Sequence, residues 1–379
     1  MAPSKTSAPR SGKRSTQPQC ELPSRVVLVM QGGGALGAFQ AGVYEAMHKA
    51  GMEPDWVVGT SIGAINGAII AGNKPEHRLD RLREFWDMVS SASTSSSLWN
   101  TFGMLNMVHN LVTVSNGIPG FFKPNPSAFL GTHNPVGVTQ ASYYSTEPLR
   151  DTLDKLVHIS RINAHATRLT LGAVNARSGQ MRYFDSRDTT FTLDHVMASG
   201  ALPPAFPAVM IDGEPYWDGG IYSNTPLEVV MDDNPRQDSV IFAAQLWQQE
   251  GAVPKTIAQV SSRLKDIQYA SRAESHTARQ QQIHHLRHIV RELGRLLPPA
   301  TRTSAKAREL LGWGCGTVMH VLPMQAPALE GEDHTKDIDF TPAGIRARWK
   351  AGVEYAQRHI DAAPWNAPFD PIMGIVVHP

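Results

Sequence analysis

Two glycine-rich turns within the first seventy residues constrain this chain more than any other feature. Gln31-Gly32-Gly33-Gly34-Ala35-Leu36-Gly37 follows the apolar run Val26-Val27-Leu28-Val29-Met30, and Gly59-Thr60-Ser61-Ile62-Gly63 follows Asp55-Trp56-Val57-Val58. A short β-branched run that ends in glycines and continues into a helical pattern reads as strand–turn–helix. Two such units in succession make a βαβ unit, which brings both turns to the carboxyl edge of a parallel sheet. Gly-x-Ser-x-Gly on such a turn lifts the Ser61 hydroxyl out as a nucleophile. The glycine run on the neighbouring strand can aim backbone N–H groups at a developing oxyanion. The pair predicts a serine ester hydrolase.

The Gly32-x-Gly34-x-x-Gly37 spacing also matches a dinucleotide-binding fingerprint, in which glycines let a pyrophosphate approach a helix N-terminus. That fingerprint needs an acidic residue at the end of the second strand. Val58-Gly59-Thr60-Ser61 stands there instead, and Asp55 lies at the strand's start, so the nucleotide reading is disfavoured.

A serine hydroxyl is a poor nucleophile without an adjacent base. With fifteen histidines in the chain, a Ser–Asp/Glu–His triad stays open on residue types alone. His276, His284, His285 and His288 fall on a charged helical stretch and are expected on its solvated face. His284 and His288 stand at i, i+4 without the glutamate of a zinc-protease motif, so no metal is expected. His195 falls in an amphipathic helix and reads as structural. Asp218, between Trp217 and Gly219-Gly220, is the other candidate base. A carboxylate partly desolvated beside an aromatic ring has its pKa raised and accepts a proton better. An aspartate in a tight Asp-Gly turn is also an ordinary structural feature.

The remaining sequence organises around these motifs. Residues 1–23 are rich in Ser, Pro, Lys and Arg and read as a disordered basic tail without a signal-peptide h-region. A weak electrostatic hold on anionic lipid is the tail's functional alternative. Residues 61–72 suit a buried helix, and 76–89 an amphipathic one. Residues 90–145 change character: a serine-rich run gives way to Trp99, Phe102, Met104, Leu105, Met107, Phe121, Phe122, Tyr143 and Tyr144 among Gly and Pro. Such a segment suits a lid or a wall for acyl chains, and core packing explains it about as well. Strands are expected at 169–174, 181–184 and 240–245, a helix at 193–199, and a hairpin at 209–216 around Asp212-Gly213. Residues 256–297 form one helix roughly 60 Å long, or two packed as a hairpin, with Ile257, Val260, Leu264 and Ile267 at heptad-like steps. A strand at 316–323 and a helix at 342–359 follow. A soft boundary falls near residue 250, beyond which the late strand can rejoin the main sheet.

At 379 residues and 41% hydrophobic, the chain can bury a large core, while a net charge of +1 gives no bias toward nucleic acid. Cys20 and Cys315 are its two cysteines, too few for a disulfide framework and compatible with a reducing compartment. No stretch approaches the roughly twenty apolar residues of a membrane span.

The glycine loop, the Gly-Thr-Ser-Ile-Gly elbow one βαβ unit later and the downstream Asp218-Gly219-Gly220 together resemble the patatin-like phospholipases. The segment Ala198-Ser199-Gly200-Ala201-Leu202-Pro203-Pro204-Ala205-Phe206-Pro207 is similar to the one preceding Asp-Gly-Gly in that family. The resemblance covers about residues 25–245. It implies a three-layer α/β fold around a parallel sheet, and a Ser–Asp dyad without histidine. In that dyad Ser61 attacks the ester carbonyl and Asp218 accepts its proton. The resemblance gives the oxyanion hole to Gly32, Gly33 and Gly34, with Gly37, Gly59, Gly63, Gly219 and Gly220 supporting the motifs. Many relatives carry Arg or Lys in the glycine loop, where this chain has Ala35-Leu36. Beyond residue 250 the chain resembles the mainly helical C-terminal region of a bacterial subset of the family.

The expected organisation is thus a tail (1–23), a catalytic domain (24–250, with 90–145 as lid or binding segment) and a mainly helical C-terminal region (251–379). The expected function is hydrolysis of a phospholipid, lysophospholipid or neutral lipid through an acyl-enzyme, without metal or cofactor. Thioesters or an intracellular storage polyester share the chemistry and are alternatives, and a noncatalytic lipid-binding or scaffold protein is the rival outside enzymes. The expected partners are a lipid or acyl-ester substrate and, transiently, a membrane surface, but not nucleic acid. The expected location is the cytoplasm, with peripheral membrane contact.

Overall fold

The computed structural model describes residues 25–91, 117–131, 133–329, 332 and 334–378. The first block comprises β1 (Arg25–Met30), α1 (Ala38–Lys49), β2 (Trp56–Gly59), α2 (Ile62–Ala71) and α3 (Pro75–Ser91). A second holds β3 (Lys123–Pro124), β4 (Tyr144–Ser145), α4 (Glu147–Leu156), α5 (Ile159–Asn163), β5 (Arg168–Asn175), β6 (Met181–Asp185) and α6 (Leu193–Ser199). Next come β7 (Val209–Ile211), β8 (Glu214–Asp218), α7 (Leu227–Met231) and β9 (Ser239–Gln245). The chain closes with α8 (Ile257–Leu296), α9 (Pro299–Arg302), α10 (Ala305–Leu311), β10 (Met319–Gln325), α11 (Pro342–Ala362) and β11 (Ile375–Val377).

Strand β1 is buried along its whole length. Val26, Leu28 and Met30 enter one apolar cluster with α1, α2 and α3, whereas Val27 and Val29 enter another with Leu227, Val230 and Met231 of α7. A strand covered on both faces requires a continuous apolar run rather than alternation. The run in β1 therefore marks the middle of three layers. The sheet runs β11-β10-β9-β1-β2-β5-β8-β7, with β6 also on β5. From β11 to β5 the neighbours are parallel, while β6 and β8 run antiparallel to β5. Asp212 and Gly213, both at positive φ, make the tight turn joining β7 to β8.

One detail of this topology positions the site. Strand β6 occupies one edge of β5 from Thr170 to Val174. The other edge is shared by β2, which ends with Gly59 opposite Leu171, and by β8, which ends with Asp218 opposite Ala173. These two strands approach from opposite directions and stop on either side of Gly172. The turn after β2 carries Ser61, so nucleophile and carboxylate candidates converge at this break.

The C-terminal region belongs to the same layered body. Strands β10 and β11 extend the sheet beyond β9, and α11 packs on α1, where Trp349 Nε1 donates to Glu45 Oε2 at 2.6 Å. Helix α8 is a single helix of 40 residues, which resolves the choice between one helix and a hairpin. Its orientation corrects an expectation: Ile257, Val260, Leu264 and Ile267 are exposed, while His284 and His288 are buried. The imidazoles face inward because they meet unsatisfied carbonyls. His284 Nε2 bonds Met231 O at the end of α7 (2.8 Å), and His288 Nε2 bonds Thr317 O (2.9 Å). No helix among the described residues is long and apolar enough to cross a membrane. The basic tail (1–23) and the stretch holding Trp99, Phe102, Met104, Leu105 and Met107 lie outside the described residues.

Candidate active site

Ser61 sits between β2 and α2 with φ 57° and ψ −125°. A non-glycine residue in that region stores strain and is a mark of a nucleophile elbow. The turn is tight because Gly59 and Gly63 meet: a Cβ on Gly59 would lie 2.3 Å from Gly63 O, and one on Gly63 2.3 Å from Met30 O. Gly37 gives the same clearance to the Ile62 side chain, and Gly219 to Gly172 O.

Asp218 is 1% exposed. Its Oδ1 accepts from Gly220 N at 2.7 Å, and its buried Oδ2 has no hydrogen-bond partner. Desolvation pushes its pKa up to about 7 against the opposing pull of the Ser61 side chain and the Gly220 amide. The Ser61 hydroxyl is thus near enough to favour the carboxylate without closing a hydrogen bond of full geometry. Loose contacts of this kind are usual in unliganded sites. A carboxyl that titrates near neutrality can both take and return a proton.

The segment Ala198–Pro207, singled out in the sequence, braces both groups. Ser61 N donates to Ser199 O (3.1 Å) and Oγ (3.2 Å), and Asp218 N donates to Ala201 O (3.0 Å). The Ser61 amide is therefore already engaged.

The three loop glycines are not equivalent. Gly32 N donates to Asn224 O at 3.2 Å, and its carbonyl accepts from Asn224 Nδ2 (3.1 Å) and Trp247 Nε1 (2.7 Å). Ala35 N donates to Asp337 O at 2.9 Å. Between these fixed ends, the amides of Gly33 and Gly34 donate to no protein group among the described residues. Of the expected oxyanion donors, Gly33 and Gly34 are free and Gly32 is structurally committed.

Ser61, Asp218 and all three loop glycines line one cavity of about 180 Å³. The aromatic rings of Phe121, Phe122, Tyr144, Phe206 and Phe340 line it, with ring centroids 5.6 Å apart for Phe121–Phe340 and 5.4 Å for Phe122–Phe206. Phe121, Phe122 and Tyr144 come from the segment read as a lid or acyl wall. Trp247, Tyr269, Asp337 and Ile338 also line the cavity, and sequence reasoning missed these four and Phe340. Burial, with Asp218 and Asp337 nearby, raises the Tyr269 pKa. No described histidine lines the cavity. His195 instead closes a capping box with Thr192 and is held neutral mainly by burial. Among the described residues, no group of three or more His, Cys, Asp or Glu side chains is arranged to hold a metal ion.

A family model described as patatin-like phospholipase matches residues 28–231, and one described as patatin phospholipase matches residues 267–372. Over 46 residues the chain is 54% identical to Lysophospholipase nte1 of Aspergillus terreus, covering 12% of this chain and 3% of that protein. Over 71 residues it is 37% identical to patatin-like phospholipase domain-containing protein 7 of Rattus norvegicus, covering 18% and 5%. The matches thus span only a small fraction of these curated relatives. Among solved structures, VipD from Legionella pneumophila aligns with a TM-score of 0.41 at 15% identity, covering 90% of this chain and 67% of that one. The first family model spans more than half of the sequence, and on that match the chain belongs to the patatin-like phospholipase family.

Proposed function

We propose that this protein is a serine lipid acyl hydrolase that cleaves carboxylic esters with a Ser61–Asp218 dyad. The observation that carries the reading is a buried carboxyl pushed up to about 7 beside a serine on a strained elbow. Family membership and the apolar cavity in front of the pair support a lipid substrate.

In the first half-reaction Ser61 Oγ attacks the ester carbonyl and its proton passes to Asp218. Negative charge develops on the carbonyl oxygen, where the free amides of Gly33 and Gly34 stabilise it. The tetrahedral centre collapses, the C–O bond to the leaving alcohol breaks, and Asp218 returns the proton to that oxygen. Water then attacks the acyl-serine, giving its proton to Asp218. Collapse releases the fatty acid and Ser61 Oγ recovers the proton. The aromatic wall holds the acyl chain, which a transient contact with a lipid surface delivers to the cavity.

The test is labelling by a fluorophosphonate probe followed by peptide mapping, with hydrolysis of a short p-nitrophenyl ester measured alongside. Label is expected on Ser61 only, and Ser61→Ala should lose both label and turnover. Turnover persisting in Ser61→Ala would refute Ser61 as the nucleophile, and a wild-type protein without label or turnover would return the noncatalytic lipid-binding reading.

A further inference from the structure

The tripeptide Lys-Asp-Ile occurs twice, at 265–267 within α8 and at 336–338 in the loop before α11. The two copies pair crosswise. Lys265 Nζ donates to Asp337 Oδ1 and Oδ2 at 2.7 and 3.0 Å, and Lys336 Nζ donates to Asp266 Oδ1 at 2.7 Å. We propose that this double Lys–Asp clasp positions the glycine loop for oxyanion stabilisation, with Lys265 and Asp337 as positioning residues. The inference rests on the reading of Gly33 and Gly34 as oxyanion donors.

Each arm of the clasp reaches one end of the loop. Lys265 Nζ also donates to His334 O at 2.9 Å, so it fixes the 334–337 turn at both ends. That turn presents Asp337 O to Ala35 N at 2.9 Å. Gly34 makes the approach possible: its φ is +55°, and a Cβ there would lie 2.2 Å from Asp337 O. The other arm acts through Trp247. Lys336 Nζ stands 5.3 Å from the Trp247 ring centroid, and Trp247 Nε1 donates to Gly32 O at 2.7 Å. Gly32 and Ala35 are thereby anchored on either side of the two unbonded amides.

Lys336 and Asp266 are both buried. Buried ion pairs often add little net stability compared with apolar packing, because desolvation offsets their attraction. What two crossed pairs supply is a fixed geometry. Oxyanion donors act only when held near 3 Å from the developing charge, so a small displacement costs turnover rather than substrate binding.

The test compares Lys265→Met and Lys265→Arg in the full chain, with kcat and KM on a short p-nitrophenyl ester and thermal melts of each variant. Lys265→Met is expected to lower kcat about 10- to 100-fold with KM within about two-fold of wild type. Its rate of fluorophosphonate labelling should fall in parallel, and Lys265→Arg should recover most of the loss. Wild-type kcat in Lys265→Met, or a rise confined to KM, would overturn the proposal and leave the clasp a tether. If Lys265→Met melts too low to assay, the near-isosteric Asp337→Asn carries the same expectation and the same reversal. A wild-type protein that neither turns over nor labels at Ser61 defeats the functional reading itself, an outcome distinct from any behaviour of the Lys265 variants.

Discussion

Ser199 holds Ser61 from behind: its carbonyl and hydroxyl oxygens both accept from the Ser61 amide, and its hydroxyl donates onward to Gly172 O at 2.7 Å. The strained elbow is thus tied to the one residue of β5 that faces the break between β2 and β8.

Replacing this hydroxyl tests whether the tie matters for chemistry. Ser199→Ala keeps the backbone bond to Ser61, so the fold should survive with a loss of about 1 kcal/mol. We expect kcat to fall about 10-fold with little change in KM, since a misplaced nucleophile costs turnover. Steady-state kinetics with a parallel melt decides the matter. An unchanged kcat would mean that the backbone bond alone sets the elbow.

Asp218 links activity and stability to pH in opposite senses. Its folded pKa, about 7, exceeds its ordinary value of 3.8. The folded state therefore binds the proton more tightly, and stability falls as pH rises between those two values. In the proposed dyad activity runs the other way, because only the carboxylate can accept a proton from Ser61. We expect kcat/KM to rise with pH through a midpoint near 7. Asp218→Asn should lose at least about 100-fold in rate. The same variant should melt higher than wild type at pH 8, and the difference should vanish below about pH 4. A wild-type rate in Asp218→Asn would redirect the search for the base to other groups.

Phe340 lines the cavity that holds the proposed dyad and is 4% exposed, packed against Phe121 and Trp86. Phe340→Ala should enlarge the cavity at a cost of about 3 kcal/mol. We expect the preference among p-nitrophenyl esters of increasing chain length to shift toward longer acyl groups. A profile that keeps its optimum while all rates fall together would show that the ring only supports the core.

The part of this molecule legible in its sequence is the part built from local patterns. The run in β1, the two glycine turns and the hairpin at Asp212-Gly213 each encode their own geometry within a few residues, and the fold class follows from their order. Ser61 is singled out by the glycines of its elbow at fixed offsets, whereas Asp218 is singled out by the family resemblance, since an Asp-Gly turn alone is an ordinary feature. Trp247, Tyr269 and Asp337 were not visible, because nothing nearby in sequence marks them. They reach the cavity only through the docking of α8 and the 334–340 loop, which tertiary packing decides. The repeated Lys-Asp-Ile was the available signal, and its meaning lies in the pairing of the two copies. The histidines of α8 show the converse. A charged stretch suggested a solvated face, yet carbonyls left over at Met231 and Thr317 drew two imidazoles inward.

The meeting of β2 and β8 along one edge of β5 makes the reaction centre an all-or-none matter of strand register. A one-residue slip of β8 would carry Asp218 about 3.4 Å along β5 and turn its side chain to the opposite face of the sheet. No side-chain adjustment could recover the encounter with Ser61. A residue added or removed between 216 and 218, where β8 pairs with β5, is therefore expected to break the proposed dyad even where the core stays intact. The exposed tip of the β5–β6 turn, Arg177 to Gly179, lies beyond the last β5–β8 pair, Asn175 with Tyr216, and is the place where an added residue is expected to leave that register unchanged.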